Sequence, residues 1–453
     1  MSGTTVRPSI NVKSLIDEGR FRPFHVRVFL CCLVSLSFEG YDLVVYGATL
    51  PLLRAEWHMG AAYAGFIASF GFGAAVVGAL IGGALGDRWG RKRTIITSVV
   101  IYSLGSFICA RADSPGWFAL FRVFGGIGMG MTLQNEVGLV SEYFPSKYRQ
   151  AGVSGVSTGM EFGGILSALV AIWLIGPYGW HSAYYFGALP IVLVPVLIKY
   201  MPEAPWILVA RNRIGQLKDA LRHLRPDLTV PDGVHFEYPK SRDKSTLTNV
   251  FAEHRAFSTA LFWIVYFMNI FVIYGTNTWI PTLMMNSGHA MGESLWIYLG
   301  LFAGAAVASP FMGHWADRFG SKRVSLICYG VAFVTILLLS VHMNMYLTLS
   351  VVCLAGACTM GTQNLTHAYV SLYFPPTVKS TMMGWGLSIG RFGGLLGPIV
   401  GGLLLSRHVT LFHSFLAFAL PCLVSALAVF LVQDRYAFNR HYRHLKNPEV
   451  GGE

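Results

Sequence analysis

Glu39, Asp42, Arg122, Glu161 and Arg391 stand inside long apolar runs. Charges in such surroundings are costly, so each should face a cavity or an opposite charge. Glu39 and Asp42 lie three residues apart in SFEGYDLVVYG and share one face if the run is helical. Two close carboxylates in a low dielectric resist ionising together, so one would keep a proton. That behaviour suits a proton carrier. A static ion pair with Arg122 or Arg391 is the alternative. Arg391 offers a planar fork suited to a carboxylate. It could clamp an anionic ligand, or only balance Glu161 or Glu39. Arg122 reads equally as a proton relay or as a structural partner.

The elements that hold these residues follow from composition. Of 453 residues, 54% are hydrophobic and 12% charged, with mean hydropathy +0.52. Soluble domains carry about 25% charged residues, so this is the composition of a polytopic membrane protein. Twelve apolar segments are each long enough to cross a ~30 Å hydrocarbon core as helices. They are expected at 26–52, 62–86, 93–111, 116–141, 150–175, 180–200, 257–285, 292–313, 322–341, 344–372, 380–405 and 411–433. The implied layout is a tail (1–25), a six-helix bundle (26–201), a polar linker (202–256), a second bundle (257–433) and a tail (434–453). The fold class is therefore all-α, membrane-embedded and two-halved.

Of the 34 Lys and Arg residues, 29 fall on the side that carries both termini and only Arg54, Arg111 and Arg407 on the other. That asymmetry places both termini in the cytoplasm. It also accounts for the net charge of +12 without nucleic acid. The seven cysteines lie in or beside apolar runs and read as small apolar residues. No signal peptide or lipidation motif is visible. No nucleophile, metal or phosphate motif points to an enzyme, and no cofactor or metal is expected.

The halves repeat one another. GALGDRWGRKR has a counterpart in MGHWADRFGSKR, placing Asp87 and Asp317 230 residues apart. SEYFPSKYR matches SLYFPPTVK at the same offset, VVYG matches VIYG at 228, and GVSTGMEFGG resembles GLSIGRFGG. At the 228 offset Glu39 and Asp42 correspond to Phe267 and Ile270, so the acids are not part of what is duplicated. Paired bundles of this kind bind substrate between the halves near mid-membrane. At 1.5 Å per residue Glu39 lies roughly 20 Å and Arg391 ~16 Å from the cytoplasmic end, with Glu161 at similar depth. Gln134, Asn135, Gln363, Asn364 and His367 could line that cavity or bond helix to helix. The GxxxG steps Gly155–Gly159 and Gly386–Gly390 read as close helix contacts.

GALGDRWGRKR, together with RVFGGIGMG around Arg122, resembles the loop and span 4 motifs of the major facilitator superfamily. Within it the chain is similar to the aromatic acid:H⁺ symporters. Their DGxD motif corresponds to Glu39-Gly40-Tyr41-Asp42, their W-x-P to Trp279-Ile280-Pro281, and their GR pair to Gly390-Arg391. Glu39 replaces the usual Asp, and Glu161 stands where an uncharged residue is expected.

The resemblance implies import of a benzoate-type acid with protons by alternating access. Proton coupling then falls to Glu39, Asp42 and Arg122. Substrate binding falls to Arg391, Asn135 and Asn364, with aromatic stacking from Tyr41, Trp279 and Trp385, or Tyr274. Asp87, Arg88 and Arg91, Glu142 with Arg149, and Asp317 with Arg318 would latch the cytoplasmic rim as a gate. The expected partners are a small aromatic acid, protons and the bilayer of a cell inner membrane, with function as a monomer. The MPEAPWIL run resembles a sugar-porter motif, so another organic anion or a sugar is an alternative substrate. A non-transporting sensor is the alternative class.

Overall fold

The computed structural model describes residues 9–226, 234–238, 251, 255–375 and 378–438. The extreme ends of both expected tails and parts of the expected linker (227–233, 239–250, 252–254) lie outside the described residues.

Among the described residues, twelve helical spans are long and apolar enough to cross a membrane. Spans 1–6 are Pro23–Glu56, Ala61–Trp89, Arg91–Cys109, Pro115–Tyr143, Ser146–Tyr178 and His181–Tyr200. Spans 7–12 are Ala256–Asn286, Met291–Phe319, Ser321–Leu338, Met345–Tyr373, Lys379–Ser406 and Leu411–Leu431. All twelve expected segments appear, several of them longer than their apolar runs. Large apolar side chains such as Leu80, Trp173 and Phe430 point outward. That exposure suits lipid, since a helix satisfies its own backbone in hydrocarbon. The chain is a multi-pass membrane protein.

Some spans are not single helices. Span 4 breaks at Met131–Thr132, between Pro115–Gly130 and Leu133–Tyr143. Span 5 breaks at Thr158 and contains a π-helical turn at Ala171–Ile175. Apolar periodicity does not reveal such interruptions.

The duplication extends to individual bonds. Lys92 Nζ donates to the Ile198 carbonyl at the end of span 6 (2.6 Å), and Lys322 Nζ donates to the Val432 carbonyl after span 12 (2.6 Å). The Tyr143 hydroxyl donates to the Glu203 carbonyl and the Tyr373 hydroxyl to the Gln433 carbonyl (2.5 and 3.0 Å). Gly90 and Gly320 make the turns after spans 2 and 8 at φ +108° and +90°, a region that favours glycine.

Small residues bring the helices close. A Cβ at Gly163 would sit 2.2 Å from the Ser37 carbonyl oxygen, and one at Gly393 2.1 Å from that of Phe267. These tie span 5 to span 1 and span 11 to span 7. The expected glycine steps behave alike: Gly155 meets the Phe29 ring and Gly159 the Leu33 carbonyl, as Gly386 and Gly390 meet Tyr266. Such approaches are how helices associate in lipid.

The two halves touch near the end away from the termini. Ser69 Oγ donates to the Leu395 carbonyl (2.6 Å) and the Tyr298 hydroxyl to that of Val44 (2.8 Å). Gly47 meets the Asn277 carbonyl and Gly65 that of Pro398. Toward the termini, Asn364, Trp385 and Ser388 are exposed. The sealed end is thus opposite the termini.

On the terminal side, strand β1 (Ser9–Asn11) pairs in parallel with β2 (His235–Glu237) from the linker. Asp17 pairs with Arg149. The amphipathic linker helix spans Ile214–Leu224 and buries Leu217, Leu221 and Leu224.

A Cβ at Gly130 would lie 1.9 Å from the Ala75 carbonyl oxygen, whereas nothing lies within 4 Å of one at Gly83. Gly130→Val should cost at least about 1–3 kcal/mol by overpacking. It should lower the detergent melting temperature by several degrees or prevent folding, as read by fluorescence size-exclusion. Gly83→Val should behave as wild type.

Candidate functional site

Span 1 supplies two acids, and the structure gives them different partners. Asp42 is buried and faces spans 3 and 4. Arg122 Nη1 donates to its backbone carbonyl (2.9 Å) and reaches Oδ2 (3.4 Å). Ser106 Oγ donates to Oδ1 (3.0 Å) and is also 3.1 Å from the Tyr184 carbonyl. The Arg122 guanidinium lies 5.8 Å from the Tyr46 ring centre. Each charge of this buried pair is answered, which is what burial demands.

Glu39 faces elsewhere. Arg391 on span 11 is the opposite charge that acts on it most strongly, and Thr132 faces it from the break in span 4. Three helical residues turn the chain by about 300°. Hence Glu39 and Asp42 share a side of span 1 without sharing a partner. Asp42 forms an ion pair with Arg122, whereas Glu39 lies in the field of Arg391.

Arg391 is half-buried between the halves. Tyr274 on span 7 lies in the field of Glu39, Arg391 and Glu161 together, so these groups converge. Tyr274 packs on Phe72 of span 2 with ring centres 4.2 Å apart. Gly394 leaves room for both rings, since a Cβ there would lie 2.6 Å from Phe72 and 3.0 Å from Tyr274. A small cavity beyond these rings is lined by Tyr46, Arg122, Asn277 and Pro398, among others. Asn364 on span 10 interacts with Glu161 of span 5 across the halves and sits 3.5 Å from Ser309 Oγ. The result is one arginine, two acids, an amide and two tilted, packed rings around an inter-half space.

Other expected ligand contacts are occupied elsewhere. The Tyr41 hydroxyl donates to the Ala183 carbonyl (2.6 Å), with its ring against Phe186. Trp279 is fully buried, and its indole N–H donates to the Pro398 carbonyl (2.9 Å). Asn135 donates to the Gly82 and Met131 carbonyls (2.9 and 2.8 Å), and Gln134 to that of Ala79 (2.8 Å). These side chains bond helix to helix. His367 is 2.7 Å from the Tyr266 hydroxyl. Trp385 is exposed and tilts toward Trp263.

At the rim, Glu142 pairs with Arg91 (2.6 Å) instead of Arg149, because Arg149 reaches Asp17 of the N-terminal segment. Asp87, Arg88, Asp317 and Arg318 are exposed. The Arg88 carbonyl accepts from Arg211, and Arg318 lies over Phe319.

Sequence reasoning missed Glu136 and Phe72. Glu136 is fully buried, and neither carboxyl oxygen has a hydrogen-bond partner among the described residues. Its signal was in plain view: an acid directly after Gln134-Asn135 in an apolar span.

A family model described as Major Facilitator Superfamily matches residues 32–303 and 262–447. The chain is 33% identical to a benzoate transport protein of Acinetobacter baylyi, covering 94% of this chain and 93% of the relative. It is 32% identical to a gallate transporter of Pseudomonas putida (93% and 94% covered). It is 29% identical to a 4-hydroxybenzoate transporter of the same species (94% and 96% covered). Among solved structures, the inward open xylose transporter XylE from E. coli superposes with TM-score 0.71 at 15% identity, over 90% of this chain and 96% of that one.

Removing one partner of a buried ion pair costs about 3–5 kcal/mol. Asp42→Asn should therefore lower the melting temperature markedly. Asp42→Asn with Arg122→Gln should recover part of the loss, as a thermal-shift double-mutant cycle would record.

Proposed function

The chain belongs to the Major Facilitator Superfamily, and we propose that it imports a small aromatic carboxylate together with protons. The observation that carries this reading is Arg391, half-buried between the halves beside Glu39 and the Tyr274–Phe72 rings. A guanidinium fork suits a carboxylate, and a flat ring suits an aromatic stack. The names of the benzoate, gallate and 4-hydroxybenzoate relatives support the same substrate class.

Glu39 and an incoming carboxylate compete for the one Arg391 charge. When substrate takes the arginine, Glu39 loses its counter-charge and is favoured to bind a proton. Anion and proton uptake are coupled by that exchange. The Asp42–Arg122 pair holds the first bundle together, and Asn364 with Glu161 spans the two halves on the cavity side. Asp87, Arg88, Arg91, Glu142, Arg149, Asp317 and Arg318 act at the rim, where a latch would close when the carrier faces outward. We read the carrier as a monomer of the cell inner membrane, and the excess of basic residues beside the termini supports both ends lying inside. A sugar would leave Arg391 without a role, and counterflow in proteoliposomes separates a carrier from a sensor.

Uptake of radiolabelled benzoate into proteoliposomes should require an inward proton gradient and be competed by hydroxybenzoates but not by sugars. Arg391→Lys should raise KM about tenfold or more, since an ammonium cannot reproduce the fork. Unchanged KM would remove the clamp, and uptake indifferent to the gradient would remove the coupling.

A further inference from the structure

Glu136 has no role in the exchange just described, yet it is the most buried acid of the first half. Its relative exposure is 0%, and that of Glu39 is 6%. It lies in the first turn after the break in span 4, one turn beyond Thr132, which faces Glu39. The strongest charge acting on Glu136 is Glu39 itself. Both Glu136 carboxyl oxygens and Oε2 of Glu39 are buried without a hydrogen-bond partner among the described residues.

The groups facing this pair are few. Cys32 and Ser35 face Glu136 from span 1 and Tyr102 from span 3. Arg391 of span 11 and Tyr274 of span 7 face Glu39, and Glu161 of span 5 faces Tyr274. Asp42 is nearby, but its charge is met by Arg122. Arg391 is thus the cation available to the two acids, and it is on the Glu39 side. A carboxylate wholly out of water, with only the Ser35 hydroxyl facing it, is far costlier than the neutral acid. Two acids sharing one cation hold one negative charge between them.

We propose that the coupling proton binds to a carboxyl pair made by Glu39 and Glu136 across spans 1 and 4, not by Glu39 and Asp42 along span 1. This rests on the proton-coupled reading above. With Arg391 free of substrate the pair carries one proton and one negative charge, matched by the guanidinium. When the substrate carboxylate takes Arg391, the pair binds a second proton from solvent as one new O–H bond. The site is then neutral in both states. Glu136 is a positioning residue: it keeps its proton and supports the Glu39 anion, and Glu39 exchanges with the cavity.

The test is the pH profile of gradient-driven benzoate uptake in proteoliposomes, beside benzoate counterflow at fixed pH. Without the second carboxyl to share the proton, the negative charge falls on Glu39 alone, so its protonated form persists into less acidic solution. The half-maximal pH should move up by about one unit in Glu136→Gln and further in Glu136→Leu. Glu136→Asp should stay near wild type, and counterflow should persist in all three. Glu39→Gln should abolish accumulation. Wild-type profiles in both Gln and Leu variants would overturn the pair. Loss of accumulation in Glu136→Gln with counterflow intact would overturn it too, by making Glu136 the carrier. If substitutions at 136 prevent folding, proton uptake by the wild-type protein on benzoate binding decides: about one per benzoate is expected, and two would overturn it. Wild-type uptake that ignores the proton gradient would instead strike the underlying function.

Discussion

A charge placed among apolar helices must be met within a few ångströms, and the rest of this molecule is arranged around that requirement. The first bundle meets it at Asp42 by dedicating Arg122, Ser106 and a backbone carbonyl to one closed cluster. At Glu39 it leaves the demand open, to be answered by an arginine in the other half. The first arrangement is a fixture. The second makes the electrostatics of one bundle depend on its position against the other and on what occupies the space between them.

Glycine makes such dependence mechanically feasible. Within each half, spans pack backbone to backbone, as where Gly126 meets Gly71 and Gly356 meets Leu301. Each bundle is thereby a firm body. The charged groups that converge on the inter-half space come from spans 1, 5 and 11 and so ride on opposite bodies. Two firm pieces with complementary charge at their contact suit the proposed alternation, in which small local changes become large movements.

Much of this was legible in the sequence. Apolar run lengths marked all twelve spans, and the 230-residue offset marked the duplication, because lipid imposes length and packing imposes glycine. Arg391 and Glu39 were visible as charges where charges are costly. Partnership was less legible. The spacing of Glu39 and Asp42 suggested a pair along one helix, but their neighbours on spans 3, 4 and 11 separate them. Arg149 turned to Asp17, 132 positions away in the chain, and left Glu142 to Arg91. Asn135 and Trp279 had suitable chemistry for a ligand, but backbone carbonyls of neighbouring helices claimed it. Glu136 is readable as an acid in a span, but its isolation from any counter-charge depends on neighbours from other helices.

The seal between the halves is built largely from main chain. Gly47 sits against the Asn277 carbonyl, Gly65 against that of Pro398, and Ser69 and Tyr298 donate to carbonyls of Leu395 and Val44. The glycine contacts of this seal are nearly blind to side-chain chemistry but acutely sensitive to volume. It acts as a mechanical stop of fixed thickness. One added methyl at position 47 would work as a shim, holding the bundles apart at that end and tilting the population toward the opposite opening while every charged group in the site stays the same.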